Sequence, residues 1–159
     1  MIAAEATAVV HCGPREVLEC IADLERYRQA NTKIGDLLAA SDDGREMLVT
    51  YRVRPLGLPL PVRRQRIRIG PAGRVELTDI PSRRPRMLAF SASILLRPAG
   101  QDETRIAHRA TICCRGPQAP LLERMLRSWL ANDVAAETER LTAVVDRPRP
   151  TIHSHAGQQ

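Results

Sequence analysis

Pro117-Gln118-Ala119-Pro120-Leu121-Leu122-Glu123-Arg124-Met125-Leu126-Arg127-Ser128-Trp129-Leu130-Ala131-Asn132-Asp133-Val134, continuing to Asp146, decides the fold. Leu122, Met125, Leu126, Trp129, Leu130, Val134, Leu141, Val144 and Val145 recur at helical spacing and form an apolar stripe wide enough to lie on a sheet. A helix of this kind needs an apolar surface to cover. The rest of the chain supplies it mostly as strands.

Upstream, Ala4 to Cys12 alternates small apolar and polar residues and predicts a first strand. Gly13-Pro14 breaks it, and Pro14 suits a first helical turn, where a missing N–H costs nothing. Pro14 to Asp23 places Val17, Cys20, Ile21 and Leu24 on one face, and a kink near Asp23 leads into a second short helix over Leu24 to Asn31. Six strands then follow over Ile34 to Ala40, Arg45 to Arg54, Val62 to Ile69, Arg74 to Ile80, Arg86 to Arg97 and Glu103 to Arg115. Between them stand turn clusters such as Asp42-Asp43-Gly44, Gly70-Pro71-Ala72-Gly73 and Pro98-Ala99-Gly100. Short connections favour an antiparallel meander. After Asp146, Arg147-Pro148-Arg149-Pro150 ends the helix, and disorder is expected through Gln159.

Length and composition fit one domain. The 159 residues can bury a core without disulfides or metal, and 43% hydrophobic with 26% charged residues is ordinary for a globular protein. No apolar run nears the ~20 residues of a membrane span. The N-terminus lacks a signal-peptide pattern, so a cytoplasmic location is expected. Cys12, Cys20, Cys113 and Cys114 show no zinc-ligand spacing and fit reduced, mostly buried thiols. The net charge of +6 is carried by arginine, since Lys33 is the only lysine, and it favours acidic partners. Only Tyr27, Tyr51, Phe90 and Trp129 are aromatic, which argues against a base-stacking platform for nucleic acid.

The opening Ala8-Val9-Val10-His11-Cys12-Gly13-Pro14-Arg15-Glu16-Val17, with Ile21-Ala22-Asp23-Leu24-Glu25-Arg26-Tyr27, resembles the START-like helix-grip superfamily. Within it, Gly116-Pro117-Gln118-Ala119-Pro120 leading into the long helix, Asn132 inside that helix, and Thr104 to Thr111 are similar to the polyketide cyclase/dehydrase group of aromatase/cyclases. The resemblance covers residues 2–146. It implies an α+β helix-grip fold: a seven-stranded curved antiparallel sheet wrapped around a long C-terminal helix, with two short helices after the first strand. That gives one domain over 1–146 and a tail over 147–159. It also implies an internal cavity for an apolar or polyphenolic ligand, worked without metal or organic cofactor.

In the family, the strand matching Val62 to Ile69 carries an aromatic, a serine and an arginine facing the cavity. Here it reads Val62-Arg63-Arg64-Gln65-Arg66-Ile67-Arg68-Ile69, so the serine and aromatics are absent, and the family's pocket tyrosine gives way to Ile34 or a neighbour. Two parities stay open. Either Ile67 and Ile69 face the core and the arginines form a solvated face, or Arg66 and Arg68 face the cavity with Arg64 beside them. In the second case their planar donors would hold an enolate, carboxylate or thioester carbonyl. A bulge could also switch parity midway.

His108 shares a face with Ile106, Ala110 and Ile112, and reads either as a satisfied core histidine or as a general acid/base. Tyr51, beside Val49 on the inner face of its strand, is either packing or a donor to a ligand oxygen. Phe90, Met125 and Trp129 are candidates to line the cavity as well as the core, and Asn132 is a polar intruder near Trp129. Arg83-Arg84-Pro85-Arg86 is a solvated charge cluster or a dock for an acidic acyl carrier protein. His153-Ser154-His155 is too sparse for a metal site.

Two functions follow. In the first, the protein folds a poly-β-ketone in its cavity for intramolecular aldol closure and loss of water, with Arg66 or Arg68 on the enolate and His108 or Tyr51 moving protons. In the second, the fold binds or carries a lipid or aromatic molecule without chemistry. A nucleic-acid or membrane-surface binder driven by charge ranks third, and a homodimer is left open.

Overall fold

A computed structural model describes residues 1–43, 46–53, 62–81 and 86–147. Most of the basic loop before Arg86, the Pro55-Leu56-Gly57 break and the tail after Arg147 lie outside the described residues. The order is β1 (Ile2–Val10), α1 (Pro14–Ala22), α2 (Leu24–Ala30), β2 (Ile34–Asp42), β3 (Glu46–Val53), β4 (Val62–Gly70), β5 (Arg74–Asp79), β6 (Leu88–Gly100), β7 (Glu103–Cys114) and α3 (Ala119–Val145). A short 3-10 turn at Pro71–Gly73 joins β4 to β5. All seven strands form one antiparallel sheet in the order β1-β7-β6-β5-β4-β3-β2. Successive strands from β2 to β7 are neighbours, and β1 joins the far edge by pairing with β7. This is the helix-grip arrangement, an open sheet with α3 across its inner face.

Local chemistry sets the element ends. The Gly13 N–H donates to the Glu16 carboxylate at 3.0 Å, which with Pro14 at the first helical position starts α1. Val17, Cys20 and Ile21 then fall on its buried face. Asp23 has extended dihedrals and stops α1, while its carboxylate accepts from the N–H groups of Glu25 and Arg26 and caps α2. Arg26 donates to the Val144 carbonyl at 3.1 Å and Arg140 to the Ala30 carbonyl at 2.8 Å, tying α2 to α3.

Cross-strand partners share a face, so the register defines the inner wall. One row runs Met47, Ile67, Leu77, Ala92, Ala110, Ala4; the next runs Ile69, Val75, Ile94, His108, Ala6. Ile67, Leu77 and Ile94 are fully buried there. α3 meets this wall with Leu130, Val134, Leu141 and Val144.

That register fixes the parity of β4. Gln65 and Ile67 point inward, whereas Arg64, Arg66 and Arg68 are exposed on the outer face. Arg66 and Arg68 both pair there with Glu46, at 2.7 and 3.1 Å. The expectation that Arg66 and Arg68 face the cavity with Arg64 beside them is therefore corrected. Burying three guanidiniums would need three carboxylates, and β4 pairs with both neighbours without a register shift that could reverse its parity.

Met125 and Asn132 also depart from expectation. At about 100° per residue, Met125 stands roughly 140° and Asn132 roughly 160° away from Leu130 around the helix. Met125 is 67% exposed and Asn132 is also exposed, so neither lies on the stripe that meets the sheet. β6 runs on through Pro98 to Gly100, past the expected turn, with a register irregularity at Pro98/Gly100.

Candidate functional site

A charged cluster lies between the layers. Lys33, in the short link from α2 to β2, places its ammonium 2.5 Å from Asp133 and 2.6 Å from Glu137. The two acids are one turn apart on α3, so both carboxylates reach the same cation. Glu137 is buried on the apolar stripe and also accepts from the Tyr27 hydroxyl at 2.9 Å. Asn31 donates to that hydroxyl at 3.4 Å, while its buried side-chain oxygen has no partner among the described residues. Lys33 also sits 5.7 Å above the Phe90 ring. Burial disfavours the ammonium, but Glu137 and Asp133 outweigh it and raise its pKa. Burial, aided by Glu137, keeps the Tyr27 phenol protonated.

His108 stands beside this cluster, buried between Ile94 and Ala6 of the neighbouring strands. Its Nδ1 lies 3.2 Å from Thr138 Oγ1, and Thr138 donates its only hydroxyl proton to the Val134 carbonyl at 2.7 Å. The hydroxyl can then only accept from the ring. This network assigns the proton to Nδ1 and leaves Nε2 with a lone pair and no partner among the described residues. Burial lowers the His108 pKa, against the pull of Glu137, so the ring is neutral near pH 7.

A second polar group forms where β3, β4 and β5 meet the start of β6. Tyr51 pairs in register with Arg63, the one arginine of β4 on the inward parity. Arg63 lies 3.5 Å from Asp79, which also accepts from Gln65 at 3.3 Å and from the Phe90 N–H at 3.0 Å. Arg86 donates to the Val62 carbonyl at 3.4 Å. Burial drives the Tyr51 pKa far up, against the opposing pull of Arg63, so its hydroxyl remains a donor.

The structure thus brings Tyr51, His108, Val49 and Phe90 to one inner wall, with Trp129 half-buried against the same core. It does not bring Arg64, Arg66, Arg68, Met125 or Asn132 there. Sequence reasoning missed Lys33, Asp133, Glu137, Arg63 and Asp79. Two signals were available: Lys33 is the chain's only lysine, and Glu137 with Thr138 interrupts the apolar stripe.

Three crevices lined by described residues open elsewhere, of about 470, 420 and 500 Å3. The first lies where α1 meets the end of α3, around Cys12, Glu16 and Asp146; the others lie on the outer face of the sheet, and none holds His108, Tyr51 or Lys33. Burial pushes the Cys12 thiol up to about 11, which leaves it a poor nucleophile. Among the described residues no group of His, Cys, Asp or Glu can hold a metal ion, and no helix is long and apolar enough to cross a membrane.

No family model and no curated protein matches the chain. Solved structures do. TTHA0849, a protein of Thermus thermophilus, superposes with a TM-score of 0.74 at 14% identity, covering 90% of this chain and 96% of its own. The Zhui aromatase/cyclase of Streptomyces sp. R1128 gives 0.72 at 12% identity, covering 91% of this chain and 93% of its own. A START superfamily protein of Mycobacterium smegmatis gives 0.60 at 16% identity, covering 91% and 94%. At such identities the likeness is one of fold: the chain has the START-like helix-grip fold that aromatase/cyclases also use.

Proposed function

We propose that this protein binds an apolar, oxygen-rich ligand between the sheet and α3, and that it promotes aldol cyclisation and dehydration of a poly-β-ketone. The observation that carries the reading is His108: a neutral imidazole on the inner wall, tautomerically fixed by Thr138, with Nε2 left unpaired among the described residues. A methylene between two carbonyls is acidic enough for such a base. Nε2 would take its proton, leaving the enolate beside an imidazolium. Glu137, Lys33 and Asp133 lie within electrostatic reach of His108, and the two carboxylates help to hold the imidazolium once it forms. The enolate carbon attacks a second carbonyl of the same chain, and the imidazolium returns the proton to the new alkoxide. Loss of a further α-proton and of the hydroxyl as water completes the ring. Holding the reacting carbons together and excluding water would supply most of the rate. An acidic acyl carrier protein is the partner that the net charge of +6 suits.

The test is product analysis by mass spectrometry with a short poly-β-ketone thioester. Wild type should give the cyclised, dehydrated product, and His108→Gln should slow its formation by about 10²–10⁴-fold. An unchanged rate in that variant would overturn the catalytic role.

A second reading, a carrier for an aromatic or lipid molecule, draws on a separate observation. The Lys33 ammonium is already shared by two carboxylates, so the cation acting on His108 is neutralised before any ligand arrives. Under this reading wild type binds the thioester and returns it unchanged.

A further inference from the structure

We infer that Arg86, which is tied to the start of β4 where Tyr51 of β3 pairs with Arg63, forms with the Tyr51 hydroxyl a carboxylate-binding subsite, so that the ligand of this protein carries a free acid group. The inference rests on the binding of a ligand between the sheet and α3 proposed above, not on its delivery as a thioester, and adds a free acid group to that ligand's chemistry. Arg86 uses one terminal nitrogen on the Val62 carbonyl, while the other, Nη1, is buried with no hydrogen-bond partner among the described residues. A buried guanidinium N–H left unpaired is costly, and native proteins rarely keep one without a use for it.

The surrounding groups do not fill the gap. Asp79, the acid of this cluster, already takes Arg63, the Gln65 amide and the Phe90 N–H. Tyr51 is a buried residue whose hydroxyl makes no hydrogen bond with any described residue, and next to it in register stands Arg63. Among the described residues, the site therefore holds two guanidiniums and one phenol against a single carboxylate that already makes three contacts, with Glu137 acting on Tyr51 from further off. What remains free is donors and positive charge.

A planar acceptor with two oxygens and one negative charge answers both surpluses. A carboxylate would take Arg86 Nη1 on one oxygen and the Tyr51 hydroxyl on the other, two donors onto one charged group. A ketone or ester carbonyl would satisfy one donor and leave the charge uncompensated. The body of the ligand would then extend along the inner wall past Phe90 toward His108.

The probes are 2-naphthoate and its neutral isostere 2-naphthamide, titrated calorimetrically into the full chain. Wild type should bind the acid about tenfold or more tightly than the amide, the usual scale of a hydrogen bond to a charged group. Arg86→Gln should abolish that preference while leaving amide affinity within about twofold, which also shows that the variant is folded. Tyr51→Phe, a variant that keeps the ring, should lose affinity for the acid alone. Equal binding of the two probes to wild type, or an acid preference that survives Arg86→Gln, overturns the subsite and leaves the ligand pocket standing. Failure of wild type to bind either probe overturns the pocket and the subsite together.

Discussion

Arg66 with Glu46 on the outer face and Lys33 with Glu137 inside are ion pairs of nearly equal length, 2.7 and 2.6 Å. Their side chains are 45% and 24% exposed in the first pair, and 14% and 3% in the second. Outside, water and salt screen the attraction, and such pairs contribute about 0–1 kcal/mol. Inside, each charge has given up its water and depends on its partner, so removing one strands the other. The two faces of one sheet thus use the same chemistry for different ends. The outer arginines set a long-range field, while the inner charges fix the position of α3 against the link that follows α2.

The sharpest way to break this contrast is Lys33→Met, which leaves Asp133 and Glu137 facing each other in the interior. Chemical denaturation should show a loss of about 3–5 kcal/mol. A loss below about 1 kcal/mol would mean that the inner cluster is as well solvated as the outer one. A smaller effect concerns His108. Its folded pKa lies below the ordinary value of 6.5, so the unfolded chain takes up the proton first as pH falls. Its contribution is complete above pH 6.5 and declines as pH drops from there toward the depressed folded pKa. Stability measured across that window should fall, and His108→Gln should flatten that part of the curve. The smallest effect belongs to Arg66→Ala and Arg68→Ala, each expected to change stability by less than about 1 kcal/mol. A larger loss from either would show that the outer face is structural after all.

The strands were legible because alternation and turn clusters are local signals, and all seven stand within a few residues of where they were expected. α1 and α2 were legible for a similar reason: Pro14 opens one and Asp23 closes it while capping the other. The site was less so. Alternation in β4 gives two sets but not which faces inward, and Ile67 decided it through its partners Met47 and Leu77. The Lys33–Glu137 contact joins residues 104 positions apart, and no periodicity predicts such a meeting. Met125 and Asn132 misled because a stripe read over the whole helix is smeared. Leu121 and Met125 near its start remain exposed, and burial becomes complete only from Leu130.

Because Lys33 is the only lysine of the sequence, it carries the only side-chain amine. An acylating reagent finds that amine held between two acids. The slow modification of Lys33 becomes a clock for how often the link after α2 swings free of the long helix. A compound that lodges nearby should change its rate, without any label having to be engineered in.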